Sequence, residues 1–486
     1  MRPFSFVVLV LVSGCAVGPN FRRPAPPSAT GYTPDPLPAE TASATGPTGE
    51  AQRFAAGRDI PGQWWTLFHS KPLNALIEQS LTANPTLTAA QAALRQAREN
   101  VYAQQGAYYP QIGAGFSASR NLTPLGAVSP ASASGSPYYS LITPQLNVSF
   151  VPDIFGANYR AVESLKAQEE NQRFMLEATY LTLTSNVVAA AVQEASLRGQ
   201  IAATEETIQI EANLLGILHK QLDLGQVAGA DVAAQEAALA QAQLALPSLQ
   251  KQLAQQRDLL TALAGRVPSD EVAERFELAM LDLPLDLPVS LPAKLVDQRP
   301  DVRAAEAAMH AASAEIGVAV AARLPQISLT GQVGSSANEF SRLFTPGNNF
   351  WTIAAGVTQP IFQGGTLLHK QRAAEAGFDQ AAAQYRNTVL TAMQNVADAL
   401  HALQSDADAL RAAVAAERAA GRSLAITRSQ LQLGQIAYLA LLNAEQTYQQ
   451  ARLALVQAQA NRLADTAALF QALGGGWWNR PDVATR

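Results

Sequence analysis

Two long stretches of the chain place apolar residues alternately three and four positions apart, which keeps them on one face of a helix. The first runs from Leu183 to Leu222 and the second from Val389 to Leu424. Sustained spacing of this kind is typical of long helices that pack side by side as in coiled coils. A helix over 158–222 would be ~100 Å long at about 1.5 Å per residue, which suits a tube or a stalk better than a compact globular domain.

Four shorter segments instead alternate apolar and polar residues, which is the period of a β-strand. The apolar positions are Ile112, Ala114, Phe116 and Ala118; Leu146, Val148 and Phe150; Ile327, Leu329 and Val333; and Trp351, Ile353, Ala355 and Val357. Loops rich in Ser, Pro, Gly and Asn separate the members of each pair, at about 120–140 and 334–349. The alternation predicts four strands, each with one apolar and one polar face.

The order of helix, strand pair and long helix occurs twice. Helix starts at Pro85 and Pro300 lie 215 positions apart (300 − 85), and the helix-breaking glycines Gly225 and Gly434 lie 209 apart (434 − 225). After each of these glycines a return helix is predicted, to about residues 264 and 473. Two similar units can stand side by side and bury the same face, so the duplication favours a pseudo-symmetric wall over a catalytic domain.

The remaining segments are less regular. A helix is predicted over about 71–107, and Pro247 predicts a kink or a joint in the first return helix. Residues 16–61 lack periodicity and are expected to form an extended arm that is ordered by its neighbours. The segment 266–298 carries four prolines and is expected to be a packed linker with at most a short helix.

Composition narrows the class of protein. Hydrophobic residues make up 48% of the chain but charged residues only 15%, below the usual quarter or so. Much of the surface is therefore covered by Ala, Gln, Ser and Thr, or faces something other than water. The net charge of −5 and the lack of a basic run argue against nucleic-acid binding.

The only cysteine, Cys15, follows a short apolar run after Arg2. That run is about half of the ~20 residues that a membrane-spanning helix needs, so it is typical of a secretory signal. Small residues immediately before a lone cysteine resemble the lipobox of bacterial lipoproteins, in which the cysteine receives a diacylglycerol and a fatty acid and becomes the mature N-terminus. Ala16 after it, rather than Asp, is compatible with the outer membrane. The alternative is an ordinary secreted protein with an incidental cysteine.

The number of strands bears on oligomeric state. Four strands cannot close a membrane barrel, because the smallest have about eight. An open sheet edge in hydrocarbon is not tolerated, since each unpaired backbone group costs several kcal/mol. Strands that span a membrane would therefore belong to a barrel shared between copies of the chain, with eight strands from two copies or twelve from three. The long helices would stand in the periplasm of a Gram-negative cell.

With these features the chain resembles the TolC-like outer-membrane factor family, and in particular its lipoprotein branch associated with resistance-nodulation-division efflux pumps. The residues that carry the resemblance are Cys15–Phe21 with Pro24, Trp64 and Trp65, Arg299–Asp301, the Pro-Gln-Ile strand starts at Pro110 and Pro325, and Leu469–Trp477. They extend over essentially the whole mature chain.

The resemblance implies a mixed α and β fold with two tandem repeats. Three subunits, each with four strands, would form a twelve-stranded transmembrane β-barrel that continues as a long periplasmic α-helical barrel. The expected partners are two further copies of the chain, a periplasmic adaptor protein, an inner-membrane transporter of the resistance-nodulation-division type, and outer membrane lipid. The implied function is that of a passive exit duct for drugs or other small toxic solutes, lipid-anchored in the outer membrane.

The corresponding domain boundaries follow from these segments. We expect a lipoprotein signal peptide at 1–14, an acylated N-terminus and arm at 15–61, a first repeat at 62–265, a linker at 266–298, a second repeat at 299–476 and a C-terminal tail at 477–486.

The ends of the helical hairpins are the first candidate functional residues. They are Leu224, Gly225 and Gln226 in the first repeat, and Leu433, Gly434 and Gln435 in the second. The family resemblance suggests that these tips contact the adaptor. The alternative is that the glycines only end their helices, which is the commonest role of glycine at such positions. The two interpretations are compatible.

A second candidate site is a pore gate just beyond the second tip. Related channels often carry an aspartate there and an arginine three residues later, whereas this chain has Asn443 and Gln446. An ionic latch and a strong cation preference are therefore in doubt. Asp231, which matches Ala440 in the second repeat, is a candidate for a ring of three carboxylates. The alternative is an acidic residue that stabilises a helix N-terminus.

No catalytic constellation is found, so the chain is not expected to be an enzyme. The five histidines have no metal-ligand spacing, and no cofactor is expected besides the acyl groups on Cys15. Energy for transport would have to come from a partner. Alternatives to the efflux duct are the outer membrane channel of a type I protein secretion system, a coiled-coil lipoprotein without a pore, and, more remotely, a lipid-modifying enzyme.

Overall fold

The computed structural model of the protein describes residues 16–122 and 138–481. The helices are α1 (Lys71–Ala83), α2 (Pro85–Gln105), α3 (Ala157–Asp223), α4 (Gly229–Leu263), α5 (Pro292–Gln298), α6 (Pro300–Ala321), α7 (Thr366–Gln432) and α8 (Tyr438–Ala472). The strands are β1 (Arg53–Ala56), β2 (Gln111–Leu122), β3 (Tyr138–Phe150), β4 (Asp286–Val289), β5 (Gln326–Ser335) and β6 (Asn349–Thr358).

The four long strands form one antiparallel sheet in the order β2-β3-β5-β6. Its register aligns the apolar positions of all four strands. One row across the sheet consists of Ala114, Leu146, Val333 and Trp351. Because side chains alternate between the faces of a strand, this register collects the apolar residues on one face and the polar or small residues on the other. The four predicted strands and their two-faced character are confirmed.

Both outer strands of this sheet have a free edge within the described residues. β2 pairs only with β3, and β6 pairs only with β5. These edges are 12 and 10 residues long, so they present a long row of unpaired backbone groups. Long unprotected edges invite pairing with a further strand.

The long helices repeat in length as well as in pattern. α3 and α7 each have 67 residues, and α4 and α8 each have 35. The prediction of two long helices, each followed by a return helix, is confirmed. α4 continues through Pro247 without a break, so a joint there is wrong, while the predicted kink stays a prediction. By composition alone α3 passes as a membrane-spanning helix, but 61% of the relevant window is buried, as in the core helix of a folded domain.

The described chain forms two compact units that do not coincide with the two repeats. One unit takes in residues up to Arg23, Ala93–Gln172 and Ala305–Tyr385, and therefore holds the sheet. The other takes in Pro24–Ala92, Arg173–Ala304 and from Arg386 onward, and therefore holds both hairpin ends. Each repeat contributes strands to the first unit and a hairpin to the second.

The structure departs from expectation where the chain is least periodic. The helix predicted over 71–107 is broken at Asn84, which is extended (ψ 123°) because the following proline disfavours the helical conformation. The linker contains a strand as well as a short helix: β4 pairs in parallel with β1 of the N-terminal arm, with Arg53 opposite Asp286. Strands of four residues are too short to show an alternation, so neither was predicted.

Candidate functional site at the hairpin ends

Both hairpin tips, Leu224–Gln226 and Leu433–Gln435, have the same backbone. Gly225 and Gly434 are left-handed, each with φ 68°. The amide of Gln226 donates to the carbonyl of Gln221 (2.8 Å), and the amide of Gln435 donates to that of Gln430 (2.9 Å). With the shorter-range bonds from the two glycine amides, this is the Schellman arrangement that ends helices at glycine. The glycines do end their helices, as the structural interpretation expected.

The tips are also open to their surroundings. Leu224 and Leu433 are 72% and 71% exposed, and no atom would lie within 4 Å of a Cβ added at Gly225 or Gly434. Each of the two matching turns therefore presents an exposed leucine, an apolar side chain of the kind that a protein partner covers. The glycines thus end the helices, while the leucines beside them stay accessible to a partner.

Asp231 stabilises the start of α4. Its Oδ2 accepts a hydrogen bond from the amide of Ala228 (3.3 Å), and the Asp231 amide donates to the Ala228 carbonyl (3.0 Å). In the second repeat the amide of Ala440 makes the same backbone bond to Ala437 (3.0 Å) without any side-chain counterpart. A carboxylate in the first turn of a helix is favourable for the helix alone.

Asn443 and Gln446 lie three residues apart on α8, and both are exposed. Neither carries a charge, so they cannot form an ionic latch. The buried residue between them is Glu445, of which 6% is exposed. It was not among the predicted site residues.

Beneath the tips the two hairpins of the chain pack against each other through a hydrophobic cluster, which we call the sub-tip cluster. Its buried members are Leu218, Val232, Leu424, Tyr438 and Leu441. They come from α3, α4, α7 and α8, so every long helix of the chain contributes.

A buried polar chain runs through this cluster and links the hairpins. The Tyr438 hydroxyl donates to Oε1 of Gln235 (2.5 Å). Nε2 of Gln235 donates to the backbone carbonyl of Glu211 (2.8 Å) and also bonds its carboxylate. Gln235 is fully buried and Glu211 is 6% exposed. Because buried polar groups are costly when unpaired, these bonds fix how the hairpins fit together.

A second ionisable pair lies in the same region. Arg428 of α7 donates to Oε1 of Glu445 (3.2 Å), while the other oxygen of Glu445 is buried with no hydrogen-bond partner among the described residues. Burial, reinforced by the nearby Glu211 carboxylate and opposed by Arg428, raises the pKa of Glu445 to about 7. Burial likewise raises the pKa of Glu211, against the effect of its bond to Gln235.

Several of the residues that carry the family resemblance lie together in a different place, which we call the glycine–tryptophan core: Trp64, Phe470, Gly474, Gly475 and Gly476. The rings of Trp64 and Phe470 stack at 5.4 Å. A Cβ on Gly475 would lie 2.3 Å from Leu181, and one on Gly476 would lie 2.5 Å from the Ile60 carbonyl oxygen. All five residues are buried, so their role is to hold the unit together.

The neighbouring signature residues extend this core. Arg299 donates to the carbonyl of Ala472 (3.0 Å) and pairs with Asp301 (2.6 Å). The indole of Trp477 donates to the carbonyl of Gln298 (2.6 Å). These bonds join the start of the second repeat to the end of the chain.

The segment that follows Cys15 is held in place, although Cys15 itself lies outside the described residues. The Arg160 guanidinium donates to the carbonyls of Val17 (3.0 Å) and Gly18 (3.3 Å) and to the side chain of Asn20 (2.8 Å). Arg160 is 2% exposed, and sequence analysis gave no sign of this role. Residues 17–20 are thus fixed to α3.

The apolar face of the sheet is largely open in the single chain. Ile353 is 81% exposed and Trp351 is 73% exposed, and Ile112 on β2 is similarly open. Neighbouring apolar side chains that are exposed on one face of a sheet mark a surface that contacts lipid or protein. Among the described residues, no group of three or more His, Cys, Asp or Glu side chains is arranged to hold a metal ion.

The chain is similar to known outer membrane efflux proteins over nearly its whole length. A family model described as "Outer membrane efflux protein" matches residues 76–266 and 291–475. The chain is 28% identical over 486 residues to the "Probable efflux pump outer membrane protein TtgC" of Pseudomonas putida strain KT2440, covering 99% of this chain and 96% of that protein. It is 28% identical over 498 residues to the "Cation efflux system protein CusC" of Escherichia coli O6:H1, covering 97% and 98%.

A solved structure is also similar to this chain. The outer-membrane channel OprN matches with a TM-score of 0.84 and 26% identity, over 95% of this chain and all of that one.

Proposed function

The chain belongs to the outer membrane efflux protein family and is an outer membrane efflux channel with the TolC-like fold, and from that premise we propose that it is the exit duct of a tripartite pump. In this role three copies form one channel that conducts small solutes passively to the exterior. Each of its two matched segments contains one strand pair and one long hairpin.

The observation that carries the proposal is the four-stranded sheet with one apolar face and two free edges. Edges of 12 and 10 residues cannot remain unpaired in hydrocarbon, where each unsatisfied backbone group costs several kcal/mol. Pairing β6 of one copy with β2 of the next satisfies both edges. Three copies then give twelve strands with the apolar face toward lipid, in keeping with the family resemblance, and the polar face lines the pore.

The partners follow from what the chain lacks. No nucleotide-binding motif occurs in the sequence, so the work of transport is assigned to an inner-membrane transporter, which by family resemblance is of the resistance-nodulation-division type. The tips at Leu224–Gln226 and Leu433–Gln435 are proposed to contact the periplasmic adaptor. Their exposed leucines and open surroundings support that assignment. We assign the chain no catalytic activity.

The N-terminus is proposed to carry acyl groups on Cys15. The docking of Val17, Gly18 and Asn20 onto Arg160 supports this, since it fixes the segment that follows Cys15 on the folded chain. The acyl chains would then add a second attachment to the outer membrane beside the barrel.

Three measurements test the proposal. Purified protein should run as a trimer by light scattering and produce conductance steps in a planar lipid bilayer. A strain lacking the gene should become more susceptible to antibiotics, solvents or metals. A monomer without conductance would contradict the duct, and a deletion strain that loses a secreted protein instead of resistance would favour type I secretion.

A further inference from the structure

The two repeats carry the same basic–acidic pair at equivalent positions, but the two pairs lie in opposite surroundings. His219 and Glu236 in the first repeat correspond to Arg428 and Glu445 in the second, each 209 positions later (428 − 219 and 445 − 236). The first pair is loose, at 3.9 Å, with both side chains about half exposed (53% and 55%). In the second pair, at 3.2 Å, the carboxylate is buried.

The buried copy is turned toward residues that have no equivalent in the other repeat. Tyr438 corresponds to Gly229, Gln235 to Ala444 and Glu211 to Ala420. The polar chain through Gln235 therefore forms only once per subunit, where the second hairpin meets the first. Gly229 and the two alanines lack the side chains needed to build a second such chain.

We propose that Glu445, with the Glu211–Gln235–Tyr438 chain beside it, is a proton-operated latch that holds the two hairpins of each subunit together beneath the tips. With Glu445 protonated, a neutral carboxyl sits among buried groups and the hairpins stay packed. Loss of that proton places an anion between the hairpins next to the Glu211 carboxyl, and the packed arrangement loses stability relative to a separated one.

The charged groups around Glu445 set the direction of the response. Glu211 on α3 is acidic and Arg428 on α7 is basic. Asp231 on α4 acts on Tyr438, which lies on the same helix as Glu445. Burial and Glu211 favour the protonated form, whereas Arg428 favours the ionised form. Arg428 bonds only one oxygen of Glu445, while the second oxygen has no partner among the described residues, so burial and the Glu211 carboxyl leave the ionised form poorly compensated.

The sign of the pH dependence follows from proton binding. Burial raises the pKa of Glu445 from its ordinary 4.5 to about 7, so between these values the packed state binds more protons than the separated state. The stabilisation of the packed state is therefore complete below about pH 4.5 and is lost as the pH rises to about 7. The hairpins should separate more readily at neutral and alkaline pH than at acidic pH.

The latch rests on the proposed function only in that the structure it would open is the proposed channel. The test of the latch does not require transport. Spin labels at Leu224→Cys and Leu433→Cys report the separation of the two tips within a subunit. The labelled chain is diluted with unlabelled chain so that each trimer holds one labelled copy, and acylated Cys15, the only native cysteine, takes no label. Pulsed electron–electron distance measurements are made from pH 5 to 8.

In the wild-type chain the population with widely separated tips should rise several-fold across this range, with a midpoint near pH 7. Glu445→Gln, which imitates the protonated side chain, should keep the short distance at every pH. Arg428→Gln should move the midpoint to higher pH, because it removes the group that favours ionisation. Glu236→Gln, the same change at the exposed equivalent position, should leave the wild-type curve unchanged.

A wild-type distance that does not change with pH would overturn the latch. So would a response that survives in Glu445→Gln, one that Glu236→Gln abolishes equally, or an Arg428→Gln midpoint that falls. Arg428 is 44% exposed and its replacement should fold, so its shift decides the matter even where Glu445→Gln fails to assemble. Absence of conductance with an intact distance response would contradict the duct and not the latch.

Discussion

Glycines with the same backbone conformation occur in the glycine–tryptophan core and at the hairpin tips, yet their surroundings are opposite. Gly476 in the core and Gly225 and Gly434 at the tips all have φ 68°. A Cβ on Gly476 would lie 2.5 and 2.6 Å from two backbone oxygens, whereas one at either tip would meet no atom within 4 Å. The core therefore needs glycine because a larger side chain would not fit. The tips need it only because the backbone there is left-handed. We expect damage in the core to affect folding and damage at the tips to affect contact with a partner.

The largest expected difference between the regions concerns large side chains. Trp64→Ala should cost about 3–5 kcal/mol in unfolding free energy, because a fully buried indole leaves a cavity. Leu433→Ala at the tip should cost less than ~0.5 kcal/mol, since that side chain is exposed. Thermal unfolding of the two purified variants measures the difference. A similar fall in melting temperature for both would contradict the assignment of roles.

A matched pair of glycine substitutions separates the cost of a steric clash from the cost of left-handed backbone strain. Gly476→Ala and Gly225→Ala carry the same left-handed strain of roughly 1–2 kcal/mol. Gly476→Ala adds a clash with backbone atoms, worth about 1–3 kcal/mol more. Trimer yield and melting temperature should fall further for Gly476→Ala. Equal losses would mean that the close contacts relax without cost.

Replacement of Gly434 by valine should separate assembly from function. The trimer and its membrane location should be retained, with a stability loss of roughly 1–2 kcal/mol from a left-handed branched residue. Export should be abolished, because the altered turn moves Leu433 and Gln435 out of position for the adaptor. Drug susceptibility of a complemented deletion strain is the readout. Wild-type resistance would remove the tips from the contact surface.

A small effect on stability is expected at Asp231. Because its carboxylate stabilises the first turn of α4, Asp231→Ala should cost about 0.5–1 kcal/mol and leave ion selectivity unchanged. Single-channel recordings under a salt gradient measure the selectivity. A changed reversal potential would place Asp231 at the pore and restore it as a gate residue.

The parts of the fold that sequence analysis predicted are those with a local signal. Regular three-four spacing located α3 to within a residue at each end and the interior of α7, and alternation located β2, β3, β5 and β6, since each element buries or exposes one face along its length. β1 and β4 were missed because their pairing joins distant four-residue segments. Nothing local marks either of them.

The tips were found because glycine ends helices, but the buried polar chain beneath them was not found. Glu236 and Glu445 occupy equivalent positions in similar helical sequence, and only packing against the other hairpin buries one of them. A signal was available when the two repeats are compared, because Tyr438 is equivalent in position to Gly229 and Gln235 to Ala444. Differences between otherwise matching repeats mark where the two hairpins meet asymmetrically.

The parallel pairing of β1 with β4 constrains the order in which the chain can fold. β1 lies in the N-terminal arm, and its partner is translocated only after the whole first repeat has emerged. The arm also depends on residues far along the chain. The Asn479 side chain donates to the carbonyl of Ile60 (2.7 Å), and the Trp478 indole donates to Asp59 (3.0 Å). Contacts of such long sequence separation form slowly. The arm therefore cannot pack fully while the chain is still crossing the inner membrane. Apolar segments that stay exposed until residues 478 and 479 have crossed need protection.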